Sequence, residues 1–131
     1  MDVVTDTSAI IAVITNSVER DLLVKLTEDS TLVAPPSVHW EIGNAFSSLL
    51  KRGLISLARV EEALQAYEAI PIRFLDVDLE IAMQIASDLS IYAYDAYLIV
   101  CAQQINAPLL TLDRGLARSA RLVAVTVLEA R

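Results

Sequence analysis

Short apolar segments alternate along this chain with longer runs whose apolar residues recur at helical spacing, and that alternation limits the folds open to it. Val3-Val4-Thr5, Thr31 to Ala34, Ile72 to Leu75, Leu109 to Leu112 and Val123 to Leu128 are rich in the β-branched and aliphatic residues of buried strands. Between them the spacing predicts helices over Ala9 to Thr15, Val18 to Thr27, Ser37 to about Arg52, and from Ser56 to just before Pro71. Further helices are expected from Asp78 through Leu89, after Asp95, and from Arg114 to about Leu122. Ser37, Ser56 and Asp78 are placed as N-caps, and Gly53 as a C-terminal stop. Strands and helices in this order imply an α/β fold: a parallel sheet of about five strands, helices on both faces, joined by right-handed crossovers.

At 131 residues the chain fits one domain, 1–131, with one sizeable core. Its residues are 55% hydrophobic and only 5% aromatic, and the surplus of Ala, Val, Ile and Leu is the usual filling between helices and a parallel sheet. No apolar run approaches the ~18–20 residues of a membrane span, and Met1-Asp2-Val3-Val4 lacks the basic start of a signal peptide, so a complete soluble protein is expected. The single cysteine, Cys101, excludes an internal disulfide and suits a reducing, cytoplasmic setting. Acids outnumber bases 17 to 10, which argues against a nucleic-acid binder unless several acids gather around a cation.

Four acids have positions that suggest such a gathering. Asp6 follows the first apolar segment and Asp113 the fourth, so both lie at carboxyl ends of predicted strands. Ligands of such sheets sit there, where strand order reverses, and the two acids become neighbours if the first and fourth strands pair. Asp95 opens the late apolar helix, and Glu41 sits on the shoulder of an apolar helical face, followed by Asn44, Ala45 and Ser48. Singly, Asp6, Asp95 and Asp113 read as helix N-caps, each contributing about 1 kcal/mol, and Glu41 as a surface residue. Together, four carboxylates on one rim repel one another and push some pKa values up. A hard divalent cation relieves that conflict; Mg²⁺ takes oxygen ligands, typically one or two of them carboxylates. Ions of this kind serve phosphodiester hydrolysis.

The segments VVTDTSAI, WEIGNAF, YDAYLIVCA and LLTLDRGLA, in this order and spacing, span essentially the whole chain. In them the sequence resembles the PIN-domain ribonucleases, and among these the VapC-type toxins of toxin–antitoxin pairs. The resemblance implies a three-layer PIN-like fold with Asp6, Glu41, Asp95 and Asp113 as the acidic quartet, Ser8 and Thr111 as hydroxyls beside it, and Asn44 as the residue that follows the glutamate. It also implies Mg²⁺ or Mn²⁺, hydrolytic cleavage of RNA, homodimerisation, and inhibition by a cognate VapB-like antitoxin whose segment covers the acidic site. Asp6 and Asp95 are expected as direct metal ligands, with Glu41 and Asp113 positioning water or completing a second ion site.

Arg114, Arg118 and Arg121 recur at helical spacing after Asp113, either as phosphate contacts or as a solvated face. Lys51 and Arg52 suit a helix C-terminus. His39 beside Trp40 is expected at a surface or interface, Tyr92, Tyr94 and Tyr97 at a core edge or dimer contact, and Cys101 in the core. Gly43, inside a helix, is expected to permit close packing. Two rival functions remain: a receiver-type signalling domain and a non-catalytic RNA- or protein-binding partner. A receiver needs adjacent acids after its first strand and a lysine after its last, where this chain has a lone Asp6 and Glu129-Ala130-Arg131.

Overall fold

In the computed structural model, which describes residues 1–129, five parallel strands form one sheet: β1 (Asp2–Thr5), β2 (Thr31–Ala34), β3 (Ile72–Phe74), β4 (Leu109–Leu110) and β5 (Val127–Leu128). Their order is β3-β2-β1-β4-β5. The chain adds β2 and β3 outward on one side of β1, then returns to lay β4 on its other side, so direction reverses between β1 and β4. This order differs from the 2-1-3-4-5 order of flavodoxin-like and receiver domains, which removes the receiver reading. Ala130 and Arg131, invoked against that reading, lie outside the described residues.

Seven helices cover the sheet among the described residues: α1 (Thr7–Ile14), α2 (Arg20–Thr27), α3 (Ser37–Lys51), α4 (Leu57–Glu68), α5 (Leu79–Leu89), α6 (Ala93–Ile105) and α7 (Arg114–Leu122). Alternation along the strands separates two apolar clusters. Val4, Val33 and Leu109 pack with Val38, Ile42 and Phe46 of α3, Val60 and Tyr67 of α4, and Ile99 and Cys101 of α6. Val3 and Leu110 pack instead with Ala9 and Ala12 of α1 and Leu23 of α2. Helix α6 buries Ala96 and every residue from Leu98 to Ala102, which makes it the innermost helix. No single helix among the described residues is long and apolar enough to cross a membrane.

Several boundaries differ from the sequence-based expectation, each for a local reason. Helix α1 begins at Thr7 because the Asp6 carboxylate caps it through the backbone N–H of Ala9. Helix α2 begins only at Arg20, and Val18 before it is 96% exposed. Ser37 is not a cap: the helix already includes it, after Pro36, and its buried Oγ has no hydrogen-bond partner among the described residues. Asp95 is not a cap either, since α6 starts two residues earlier and places it in the first turn. Strand β4 stops at Leu110 because the Thr111 hydroxyl turns to Asp6 and accepts from the Asp113 N–H, and β5 shrinks to two residues because Ala124 takes a φ of +62°.

Gly53 does end α3, with a φ of +69° that suits a residue without a Cβ. Gly43 departs from expectation. A Cβ there would meet nothing within 4 Å, so close packing is not the reason for glycine. Gly43→Ala should therefore stabilise the fold by up to about 1 kcal/mol through helix propensity alone, read as a raised urea midpoint at unchanged slope. A lowered midpoint would mean that the position is crowded in solution.

Candidate active site

Asp6 leaves the carboxyl end of β1 and is only 3% exposed. Thr5 is in register with Leu110, so the residues after each strand, Asp6 and Thr111, start side by side. The Asp6 N–H donates to the Leu110 carbonyl at 3.1 Å. The Asp6 carboxylate receives the Ala9 N–H at 2.9 Å, the Ser8 hydroxyl at 2.8 Å from each oxygen, and the Thr111 hydroxyl on Oδ2. Both hydroxyls also accept from the far strand's exit: Ser8 Oγ from the Leu112 N–H at 3.0 Å, and Thr111 Oγ1 from the Asp113 N–H at 2.9 Å. The ends of β1 and β4 are thus tied through one carboxylate and two side-chain hydroxyls.

Asp113 is the N-cap of α7, its Oδ1 accepting from Gly115 N–H at 2.8 Å and Leu116 N–H at 3.1 Å. A Cβ on Gly115 would lie 3.2 Å from that oxygen, so the bare glycine gives the carboxylate its room. The ordinary capping role is therefore real for Asp6 and Asp113. For Asp6 it is not sufficient. Burial raises its pKa from 3.8 to about 6 against the pull of Thr111, Ala9 and Ser8, with Asp113 adding to the rise. Ionising it in the fold costs about 3 kcal/mol more than in water, whereas a cap contributes about 1 kcal/mol. A carboxylate kept there at net cost points to a role beyond capping.

The other two acids complete a ring of repulsion. Glu41, half-buried on α3, is pushed up chiefly by burial and further by Asp6 and Asp95, while Thr7 pulls the other way. Asp95 is raised by burial and then by Asp113. Asp6 thus feels Asp113, Glu41 feels Asp6 and Asp95, and Asp95 feels Asp113, and none of these shifts includes a lysine or arginine. Glu41 Oε1 and Thr7 Oγ1 are both buried, and neither makes a hydrogen bond of acceptable geometry among the described residues. Three such side chains close enough to share one ion are not found among the described residues.

The remaining predicted residues divide. Ser8 and Thr111 lie against Asp6 as described. Asn44 is exposed, with no side-chain hydrogen bond to the acids among the described residues. Arg114, Arg118 and Arg121 line one wall of an open cleft of about 630 Å³ that also reaches Thr111 and Asp113. Arg121 pairs with Glu129. His39 is exposed, its Nδ1 3.2 Å from the Tyr67 hydroxyl and its ring edge-on to Trp40. Cys101 is buried, which pushes its thiol up to about 11 and makes it inert. Two residues without a part in the expected site matter here: Thr7, which faces Glu41, and Glu19, which also lines the cleft. In the sequence Thr7 stands out only as the middle of three consecutive residues able to cap a helix, Asp6-Thr7-Ser8, and Glu19 does not stand out.

Because the Asp6 pKa is raised in the fold, its contribution favours folding below about pH 4 and is lost as pH climbs through about 6. In chelator, the wild type should lose stability relative to Asp6→Asn over that interval, by about 3 kcal/mol in all. Urea unfolding of both proteins at pH 4 and pH 7.5 measures the difference; parallel behaviour would mean that Asp6 ionises as freely as in water.

A sequence comparison with curated proteins gives no significant match. Solved structures share the fold at low identity. PAE2754 from Pyrobaculum aerophilum aligns with a TM-score of 0.73 at 23% identity, over 91% of this chain and 84% of that one. VapBC2 from Rickettsia felis, bound to a DNA fragment from their promoter, aligns with a TM-score of 0.69 at 15% identity, over 98% of each chain. FitAcB from Neisseria gonorrhoeae aligns at 0.58 and 18%, over 98% and 97%. The PIN domain family model matches residues 3–122, a span holding all four acids and both supporting hydroxyls, and the chain belongs to the PIN domain family.

Proposed function

We propose that this PIN domain is a divalent-metal-dependent endoribonuclease that acts as the toxin of a toxin–antitoxin pair. The observation that carries this reading is Glu41 Oε1, a buried oxygen without a hydrogen-bond partner among the described residues, in a ring of acids that no basic side chain offsets. Such an oxygen suits a cation. The donors are all hard oxygens, which favours Mg²⁺ or Mn²⁺ over softer metals. Ser8 lies 2.8 Å from both Asp6 oxygens but has one proton to give, so an ion on this carboxylate would compete only with that shared contact. Asp6 and Asp95 would hold the ion. When bound, an ion of this kind activates water and offsets charge developing on a phosphodiester.

The chain's own residues supply the rest. Ser8 and Thr111 hold Asp6 in one orientation with neutral donors, which leave its charge intact. Asp113 is fixed through Oδ1 and keeps Oδ2 for orienting water. Glu41, whose pKa lies above that of an exposed glutamate, takes a proton more readily and is the candidate general base.

The reading extends to partners: an RNA substrate, a VapB-like antitoxin whose segment covers the acids, a second copy of this chain, and a cytoplasmic setting. The likeness in fold to VapBC2 supports the antitoxin. Exposed apolar side chains, among them Trp40, Leu54, Leu79 and Tyr92, support protein interfaces.

Purified protein, unfolded and refolded to strip any bound inhibitor, should cut cellular RNA into discrete fragments with Mg²⁺ or Mn²⁺. Chelator should abolish cleavage, and Asp6→Asn or Asp95→Asn should lower its rate by more than about 100-fold. The metal concentration needed for half-maximal rate should fall as pH rises through about 6, because protons compete with the ion for Asp6. Chelator-resistant cleavage, or full activity in either variant, would refute the assignment.

A further inference from the structure

The cleft beside Asp113 has a mixed lining. Arg114 and Arg118 line it along α7, together with Thr111, Asp113 and two further acids, Glu19 and Glu129. The opposite face of α7, Leu116 and Ala120, is buried in the core, which fixes the direction in which the arginines point. Four residues of helix separate the two arginines by about 6 Å, comparable to the step between neighbouring phosphates of an extended single strand. Arg20, Arg73 and Arg121 are each paired with an acid, Asp21, Asp2 and Glu129. Arg114 and Arg118 have no ion pair or hydrogen bond among the described residues. Of the three arginines that recur after Asp113, Arg121 is thus engaged and two are open.

The geometry points to a phosphate track: Arg114 and Arg118 hold the backbone of a single-stranded RNA beside Asp113, in a cleft where the Glu19 carboxylate opposes it. This deepens the nuclease reading and rests on it. A cleft of about 630 Å³ has room for one or two nucleotides. With a net charge of −7 the protein repels RNA over much of its surface, so two uncommitted arginines beside the acids have a disproportionate effect on where a strand settles. Charge along a groove without base-edge contacts makes the grip sequence-tolerant.

The test is binding of a labelled single-stranded oligoribonucleotide to refolded protein in chelator, where binding is separated from cleavage, over a range of salt. Arg114→Gln and Arg118→Gln should each raise Kd by about fivefold and lower the salt slope by about 0.7. Arg118→Lys should keep the slope, and Glu19→Gln should tighten binding by about twofold. In cleavage assays, Arg114→Gln and Arg118→Gln should raise the RNA concentration needed for half-maximal rate by about the same factor as Kd. Unchanged affinity and slope in arginine variants that still cleave would overturn the track and leave the nuclease standing. Arginine-dependent binding by a wild type that cleaves nothing would uphold the track and overturn the nuclease. If a poly-glutamate peptide binds through Arg118 and RNA does not, the cleft serves an acidic protein partner and the track is wrong.

Discussion

The buried Asp6 carboxylate is the interaction on which the rest of this structure depends. It closes the seam between β1 and β4, the one place where strand order reverses. It starts α1 through Ala9, and through Thr111 and Ser8 it fixes the exit of β4, from which Asp113 and α7 follow. All its partners are neutral donors. They satisfy the oxygens without bringing a positive charge to offset the carboxylate.

Much of this was legible in the sequence because two physical signals coincide. Hydrophobic periodicity located every strand and helix, and acids after Thr5 and Leu112 marked the carboxyl ends of neighbouring strands. What escaped was governed by tertiary contacts. Leu112 and Val123 look like strand residues, but a side-chain hydroxyl turns the chain after Leu110, and Val123 closes α7 before a left-handed Ala124. Ser37 looks like a cap and lies within the helix. Glu41 was placed on the shoulder of an apolar face; that one of its oxygens has no partner depends on the spacing between α3 and α1, which no local pattern encodes. PIN family membership supports the architecture, and the chemistry assigned to the acids rests on their burial and mutual repulsion.

The electrostatics divide the surface around the site into two regimes. In the ring, burial and repulsion raise Asp6, Glu41 and Asp95 together, which favours a concentrated positive charge over scattered basic side chains. Along α7, exposed arginines meet solvent, where each interaction is weak and screened by salt. A protein organised this way separates what must be exact from what needs only to attract.

That separation follows from how α7 is mounted. Asp113 and the bare backbone of Gly115 set the start of the helix, and Leu116 and Ala120 seat it. Positions 114 and 118 face outward and contribute nothing to that seating. Replacements there can therefore accumulate without disturbing the acids, so the charge along this edge can change while the frame stays the same. Gly115 has no such latitude: a side chain in that turn would press on the Asp113 carboxylate, coupling a change in the helix directly to the acid that caps it.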